Sequence, residues 1–355
     1  MRLPGLGMRV YVIAGASVAL VLALVAVLLT LPGEAPVLRP PEPEASGSPP
    51  DWRIELAPAE AAVWGGYLAL GDSYSSGDGA DSYAPGTARD GGCWRSDNAY
   101  PHRVAEVHAF AGGLGFWACS GQRGQGMLDQ LGGADSQLDR LEAGTSLVTL
   151  GVGGNDLGFV PVLRTCMVRL PFVDADACAA QEAEIIERMD VLDGVLAEIL
   201  AVVAERAPDA RVLLVGYPRL FPPEPEGWYY TLPPEDQRWM NTMAAEFNER
   251  LRAAARRADE LRTSGDGVGS VEFVDTYDAF DGHEVGTDEP WLNGVVLASR
   301  EEGGITVDRS SFHPNAVGHR IVGQVISAQV ELGPGRPLLV SRAAYARAAA
   351  APSPR

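Results

Sequence analysis

The sequence predicts an α/β domain built on a parallel sheet with helices on both faces. Three observations carry the prediction. Short apolar runs bounded by glycine recur along the chain, with helix-period segments between them. Of the 355 residues, 46% are hydrophobic, enough to bury a sizeable core. Strands separated by helices are joined by right-handed crossovers, which lay successive strands parallel in one sheet.

At the N-terminus, Arg2 and Arg9 precede an apolar stretch from Val10 to Leu31 that carries no charge. It exceeds the roughly 7–15 residues of a signal-peptide core and matches the roughly 20 of a spanning helix. No clean small-x-small cleavage site follows, because Thr30-Leu31-Pro32 is poor and Gly33-Glu34-Ala35 runs into Pro36. Residues 1–31 therefore read as an uncleaved signal anchor, with a long cleaved signal peptide as the alternative. Arginine before the span and acidic residues after it put the bulk of the chain outside the cytoplasm. Residues 32–60 include Pro40-Pro41-Glu42-Pro43-Glu44. Such a composition cannot bury a core and reads as a semi-extended linker.

The folded domain is expected over 61–335. Within it, Tyr67–Leu70, Leu114–Ala118, Ser146–Val152, Arg211–Gly216 and Val271–Val274 read as strands. Helical patterns cover about 180–207, 234–261 and 314–330; the first has apolar residues at Ile185, Met189, Leu192, Leu196, Ile199, Leu200 and Val203. Residues 336–355, rich in Ala and Arg, are expected to form a frayed tail.

A formal charge of −19 argues against nucleic acid or anionic headgroups held by charge. The four cysteines, Cys93, Cys119, Cys166 and Cys178, suit two disulfides in an exported chain. Three pairings are open; joining neighbours closes the shortest loops and is the expected one. No C-x-x-C pair occurs, which speaks against a zinc ribbon.

Ligands of parallel sheets sit outside the carboxyl ends of the strands. Ser73 follows the first strand, in Gly71-Asp72-Ser73-Tyr74-Ser75-Ser76-Gly77. A serine at a strand-to-helix turn exposes both a hydroxyl and a backbone N–H, the two groups acyl transfer needs. The competing reading is a plain helix cap, a task Asp72 could also perform. Gly121 follows the second strand, in Cys119-Ser120-Gly121-Gln122, and could add a second N–H. Asn155 follows the third, in Gly151-Val152-Gly153-Gly154-Asn155-Asp156, where an amide can donate to an oxyanion. His313, in Ser310-Ser311-Phe312-His313-Pro314, is the base expected for Ser73, with Pro314 in the first turn of the last helix. His319 reads as structural and His283 as a surface or pocket residue.

Together these blocks resemble the SGNH (GDSL-type) hydrolase superfamily. The closer likeness is to its actinobacterial extracellular lipase, esterase and phospholipase branch. It rests also on Cys93-Trp94-Arg95-Ser96, Tyr100-Pro101, Gly216-Tyr217-Pro218-Arg219-Leu220-Phe221, Trp291-Leu292-Asn293 and Phe312-His313-Pro314-Asn315. The resemblance implies a three-layer α/β/α sandwich with a five-stranded parallel sheet. It implies Ser73 as nucleophile, His313 as base, and an oxyanion hole of the Ser73 N–H, the Gly121 N–H and the Asn155 amide. In that branch two disulfides match the neighbour pairing. Two departures stand out. Ser310 occupies the place where many members carry the Asp that orients the histidine, so the backbone carbonyl of Ser311 is expected there, with Asp308 as a substitute. Glu284 and Val285 lie where a third disulfide would have one of its cysteines, so that loop is expected to be looser.

The expected activity is hydrolysis of carboxylic esters through an acyl-enzyme on Ser73, without cofactor or metal. The alternatives are a cell-wall glycan deacetylase or transacylase on the same machinery, and a non-catalytic surface binding module. The expected partners are a small-molecule or lipid ester, no nucleic acid, and the membrane through the N-terminal segment. The domain is expected to act as a monomer.

Overall fold

In the computed structural model, described over residues 53–167, 176–264, 269–299, 304–341 and 346, the strands run β1 (Arg53–Leu56), β2 (Gly66–Gly71), β3 (Leu114–Phe116), β4 (Thr145–Gly151), β5 (Arg211–Val215), β6 (Ser270–Val274), β7 (Leu297–Ser299), β8 (Ile305–Val307) and β9 (Leu338–Ser341). Five of them pair in the order β3-β2-β4-β5-β6, every ladder parallel. Residues of β4 and β5 are buried throughout. That is why they read as continuous apolar runs rather than as alternation, since a parallel sheet covered on both faces has no solvent side. The polar residues of β4 are satisfied inside: Thr149 Oγ1 lies 2.9 Å from Tyr67 Oη, and Ser146 Oγ donates to Ala62 O at 2.6 Å.

The helices are α1 (Pro58–Val63), α2 (Ser73–Ser76), α3 (Tyr100–Val107), α4 (Gly124–Asp129), α5 (Phe159–Met167), α6 (Glu182–Arg206), α7 (Pro234–Ser264) and α8 (Ala316–Leu332). α1 and α3 pack on α8, while α4 and α7 pack on α6. These two groups cover the sheet and complete the three-layer α/β/α sandwich. All seven apolar positions read from the sequence of α6 are buried, from Ile185 to Val203.

Four expectations need correction. β1 lies in the stretch assigned to the linker and β9 in the stretch assigned to the tail, and the two pair antiparallel from Arg53↔Ser341 to Leu56↔Leu338. Each strand is too short to signal itself, and only the distant partner makes it a ribbon. Pro314 does not open the last helix. It bridges to Leu292, and Asn315 caps α8 by accepting from Val317 N at 3.0 Å and Gly318 N at 3.1 Å. The loop around Glu284 is not loose: Arg219 Nη2 donates to Glu284 Oε1 at 2.6 Å, and both Glu284 and Val285 are buried. An ion pair holds the segment that was expected to be looser for want of a third disulfide. The C-terminal boundary also moves, because Arg336 Nε donates to Asp259 Oδ2 at 3.1 Å. The N-terminal stretch read as an anchor lies outside the described residues. Among those described, no helix is long and apolar enough to cross a membrane.

One buried ion pair joins the sheet to α1 and α8. Arg211 on β5 donates from Nε to Glu272 Oε1 at 2.9 Å and from Nη2 to Oε2 at 2.8 Å. Its remaining N–H groups reach Pro58 O and Val330 O at 2.7 Å and Gln329 O at 3.0 Å. Removing one partner of such a pair strands a buried charge. Arg211→Leu is expected to lower unfolding free energy by about 3–5 kcal/mol in urea denaturation. Arg211→Met combined with Glu272→Leu should recover most of that loss. An unchanged midpoint for Arg211→Leu would refute this account.

Candidate active site

Ser73 is the first residue of α2, and Asp72, not Ser73, is the N-cap, its Oδ1 accepting from Tyr74 N at 3.0 Å. The cap reading of Ser73 is thereby excluded, and its hydroxyl is free for another partner. That partner is His313, whose Nε2 lies 2.8 Å from Ser73 Oγ. The Ser73 N–H sits in the first turn of α2, where the helix itself offers no acceptor.

His313 lies on the loop between β8 and α8. Its Nδ1 is 3.0 Å from Ser311 O, so a backbone carbonyl, as expected from Ser310, faces the ring. Asp308 is engaged elsewhere: its Oδ1 accepts from Ser310 N at 2.9 Å and from the Ser310 hydroxyl. Burial pushes the imidazole below the ordinary histidine value; Asp78 and the bond to Ser311 pull the other way, and Arg309 adds to the lowering. The ring therefore rests neutral, with Nε2 as the acceptor that the hydroxyl requires.

Gly121 and Asn155 line the same cavity as Ser73 and His313. The disulfide Cys93–Cys119 fixes the Gly121 loop, and the second, Cys166–Cys178, joins the end of α5 to the approach of α6. Asn155 Nδ2 donates to Gln122 O at 3.0 Å, which ties its loop to that of Gly121 and leaves one amide hydrogen for a ligand. The cavity has a volume of about 340 Å³. Beyond the polar residues its wall is made of Phe159, Ile185, Met189, Trp239, Met243 and Phe247, from α5, α6 and α7. Among the described residues no other histidine lines it. His319 is buried against Tyr100, and burial pushes it down to about 3. His283 stacks on Trp291 with ring centroids 3.7 Å apart.

Sequence reasoning missed several residues of this site. Asp78, Ser120 and Arg309 line the cavity but lie beside the motifs rather than in their assigned roles. Tyr217 was visible only as part of a block. Its hydroxyl donates to Asp72 Oδ2 at 2.6 Å and accepts from Gly154 N at 3.3 Å, joining the Ser73 and Asn155 loops from beneath. Among the described residues no group of His, Cys, Asp and Glu is placed to hold a metal ion.

A parallel three-layer sandwich with a seryl hydroxyl on an imidazole at the carboxyl edge of its sheet, beside an apolar cavity, defines the class of serine ester hydrolases. The chain belongs to the GDSL-like Lipase/Acylhydrolase family, whose model matches residues 69–321. It is 33% identical over 264 residues to Lipase 1 of Streptomyces coelicolor, covering 73% of this chain and 84% of that one. Its fold is similar to the extracellular lipase of Streptomyces rimosus (TM-score 0.61, 30% identity, 74% of this chain and 99% of that one). It is also similar to phospholipase A1 of Streptomyces albidoflavus (TM-score 0.60, 29% identity, 75% and 99%). The protein is a carboxylic ester hydrolase of the lipase and esterase type.

Burial pushes Asp72 up to about 7, against the bonds from Tyr217 and Tyr74 that favour its charged form. A carboxyl with a raised native value binds more protons folded than unfolded over the interval between the two values. Stability from this group is therefore full below about 4 and is lost as pH rises towards 7. Asp72→Asn, which retains a capping oxygen, should remove that slope. The variant's unfolding free energy relative to wild type is expected to rise between those pH values and then level off. A pH-independent difference would contradict the assignment.

Proposed function

We propose that the protein hydrolyses carboxylic esters through an acyl-enzyme on Ser73, with His313 as base and an acyl chain lodged in the apolar cavity. The observation that carries this reading is the 2.8 Å contact between Ser73 Oγ and the buried His313 imidazole at that cavity. His313 Nε2 takes the hydroxyl proton as Oγ attacks the ester carbonyl carbon. The Ser73 N–H, the Gly121 N–H and the free Asn155 amide hydrogen meet the charge that develops on the carbonyl oxygen. The Ser311 carbonyl keeps the proton on Nδ1 and so holds the acceptor at Nε2. The imidazolium returns its proton to the departing alcohol, and water then releases the acid by the same route.

The lining favours acyl chains longer than acetyl, because burying methylenes against Phe159, Met243 and Phe247 contributes about 0.8 kcal/mol each. The two disulfides and the likeness to an extracellular lipase support action outside the cytoplasm. In this reading the segment before residue 32 exports or tethers the domain and the proline-rich stretch spaces it.

Ser73→Ala should abolish p-nitrophenyl ester hydrolysis, and Asn155→Ala should lower turnover by roughly 100- to 1000-fold. Full turnover by Ser73→Ala protein would sink the assignment. Across acetyl, butyryl, octanoyl and palmitoyl esters, kcat/KM is expected to rise with chain length beyond acetyl; an acetyl optimum would instead favour the deacetylase reading. Because His313 is lowered by burial, the acid limb of kcat/KM should fall below about 6.5. A limb above that value would contradict a neutral buried base.

A further inference from the structure

We propose that Arg309 and Asp78 form a positioning clasp that aligns His313, Ser73 and Gly121, taking over part of the orienting task that a carboxylate at position 310 performs in many relatives. The proposal rests on the dyad described above. Asp78 lies five positions beyond Ser73, and its carboxylate is almost completely buried. Arg309 Nε lies 3.0 Å from both of its oxygens, and Nη2 donates to Oδ2 as well. Ser120, next to Gly121, donates from Oγ to Asp78 Oδ2 at 2.7 Å and accepts from Arg309 Nη2 at 2.7 Å. The guanidinium lies 3.7 Å from the centroid of the Trp94 ring, beside the disulfide that fixes the Gly121 loop. One side chain four positions before His313 therefore touches the loops that bear the other two elements of the site. A planar fork that is also stacked on a ring holds direction as well as distance.

A second observation shows how closely these loops are pressed. Gly79 has φ +93°, and a Cβ there would lie 2.9 Å from His313 Cβ and from Asn293 Nδ2, and 3.3 Å from Ser310 O. Asn293 Nδ2 in turn donates to Gly79 O at 2.9 Å and to Ser310 O at 3.2 Å. The segment after Asp78 is thus laid directly on the backbone that carries the imidazole. Gly79 and the Asn293 amide thus connect the Asp78 segment to the His313 loop.

The clasp also balances the field at the ring. Asp78 favours the imidazolium and Arg309 opposes it. The other ionisable groups around the ring are Asp308 on its own loop, Tyr74 on α2 and His319 on α8, with Asp72 at the cap of α2 lining the same cavity. These four are common to every variant below, and Tyr74 and His319 are uncharged at neutral pH, Tyr74 raised and His319 lowered by burial.

The test measures kcat, KM and the pH profile of the full chain carrying Arg309→Gln, Asp78→Asn, both together, or Arg309→Lys. Each single variant should lower kcat by about 100-fold with KM little changed, the penalty of a misplacement near 1 Å. The acid limb should move to higher pH in Arg309→Gln, where Asp78 is left unopposed, and to lower pH in Asp78→Asn. The double variant should return the limb towards wild type without restoring kcat, because the charges are balanced but the fork is gone. Arg309→Lys should likewise keep the limb and not the rate. A merely structural pair would lower yield or melting temperature and leave the two limbs unmoved or moved in one direction, which would overturn the proposal, as would wild-type kcat in folded Arg309→Gln. If Arg309→Gln fails to fold, the downward limb shift of Asp78→Asn is read against the unmoved limb of Arg309→Lys, and an unmoved limb in Asp78→Asn overturns the proposal. Ser73→Ala and His313→Ala run alongside: activity surviving in them would discard the dyad itself, whereas their inactivity beside unaffected clasp variants would discard only the clasp.

Discussion

The site depends on the parallel pairing of β2 with β4 at their carboxyl ends, where Gly71 stands opposite Gly151. The ladder continues one residue further, with Asp72 N donating to Gly151 O at 2.8 Å. A Cβ at Gly71, whose φ is +136°, would lie 2.2 Å from Gly151 O, so only glycine allows the two chains to end at one level. Gln137 closes the same point, accepting from Gly71 N at 2.8 Å and donating to Gly71 O at 3.0 Å. Ser73 and Asn155 emerge immediately beyond these glycines. Their spacing is a consequence of sheet register, and no flexible loop has to bring them together.

Around that edge, different forces hold different parts. Apolar burial builds the cavity wall from α5, α6 and α7, where exact partners matter less than shape. Directional bonds hold the polar groups of the site: Tyr217 on Asp72, Gln122 on Asn155, Ser311 on His313. Covalent links join Cys93 to Cys119, 26 positions apart, and Cys166 to Cys178, 12 positions apart. At Glu284 an ion pair with Arg219 does the fastening instead, and it succeeds because the carboxylate is buried and screened from water.

A carbonyl facing His313 has a chemical consequence. It fixes the tautomer as a carboxylate would, but it brings no full charge to steady the imidazolium. Of the charges that remain nearby, those on Asp78 and Arg309 largely cancel as a bonded pair, while Asp308 accepts from Ser310. The ring is left neutral at rest, which suits a base, and its field is set by groups on loops rather than by one residue of its own motif.

The sequence by itself determined the five strands, the long helices and the four residues that meet at the sheet edge. Each of those signals is local. A buried parallel strand is a continuous apolar run, α6 repeats its apolar face every turn, and Ser73, Gly121 and Asn155 directly follow strands. It also supplied the absence of an acid at Ser310. What only the tertiary structure decided are the relations between segments far apart in the chain. The ribbon of β1 with β9 pairs residues almost the whole chain apart, and neither strand has a pattern of its own. Asp72 rather than Ser73 proved to be the cap because that choice turns on backbone direction, not on residue type. The ties from Arg219 to Glu284 and from Arg309 to Asp78 could not be read, because an arginine and a carboxylate in sequence carry no mark of which partner the fold will bring within reach.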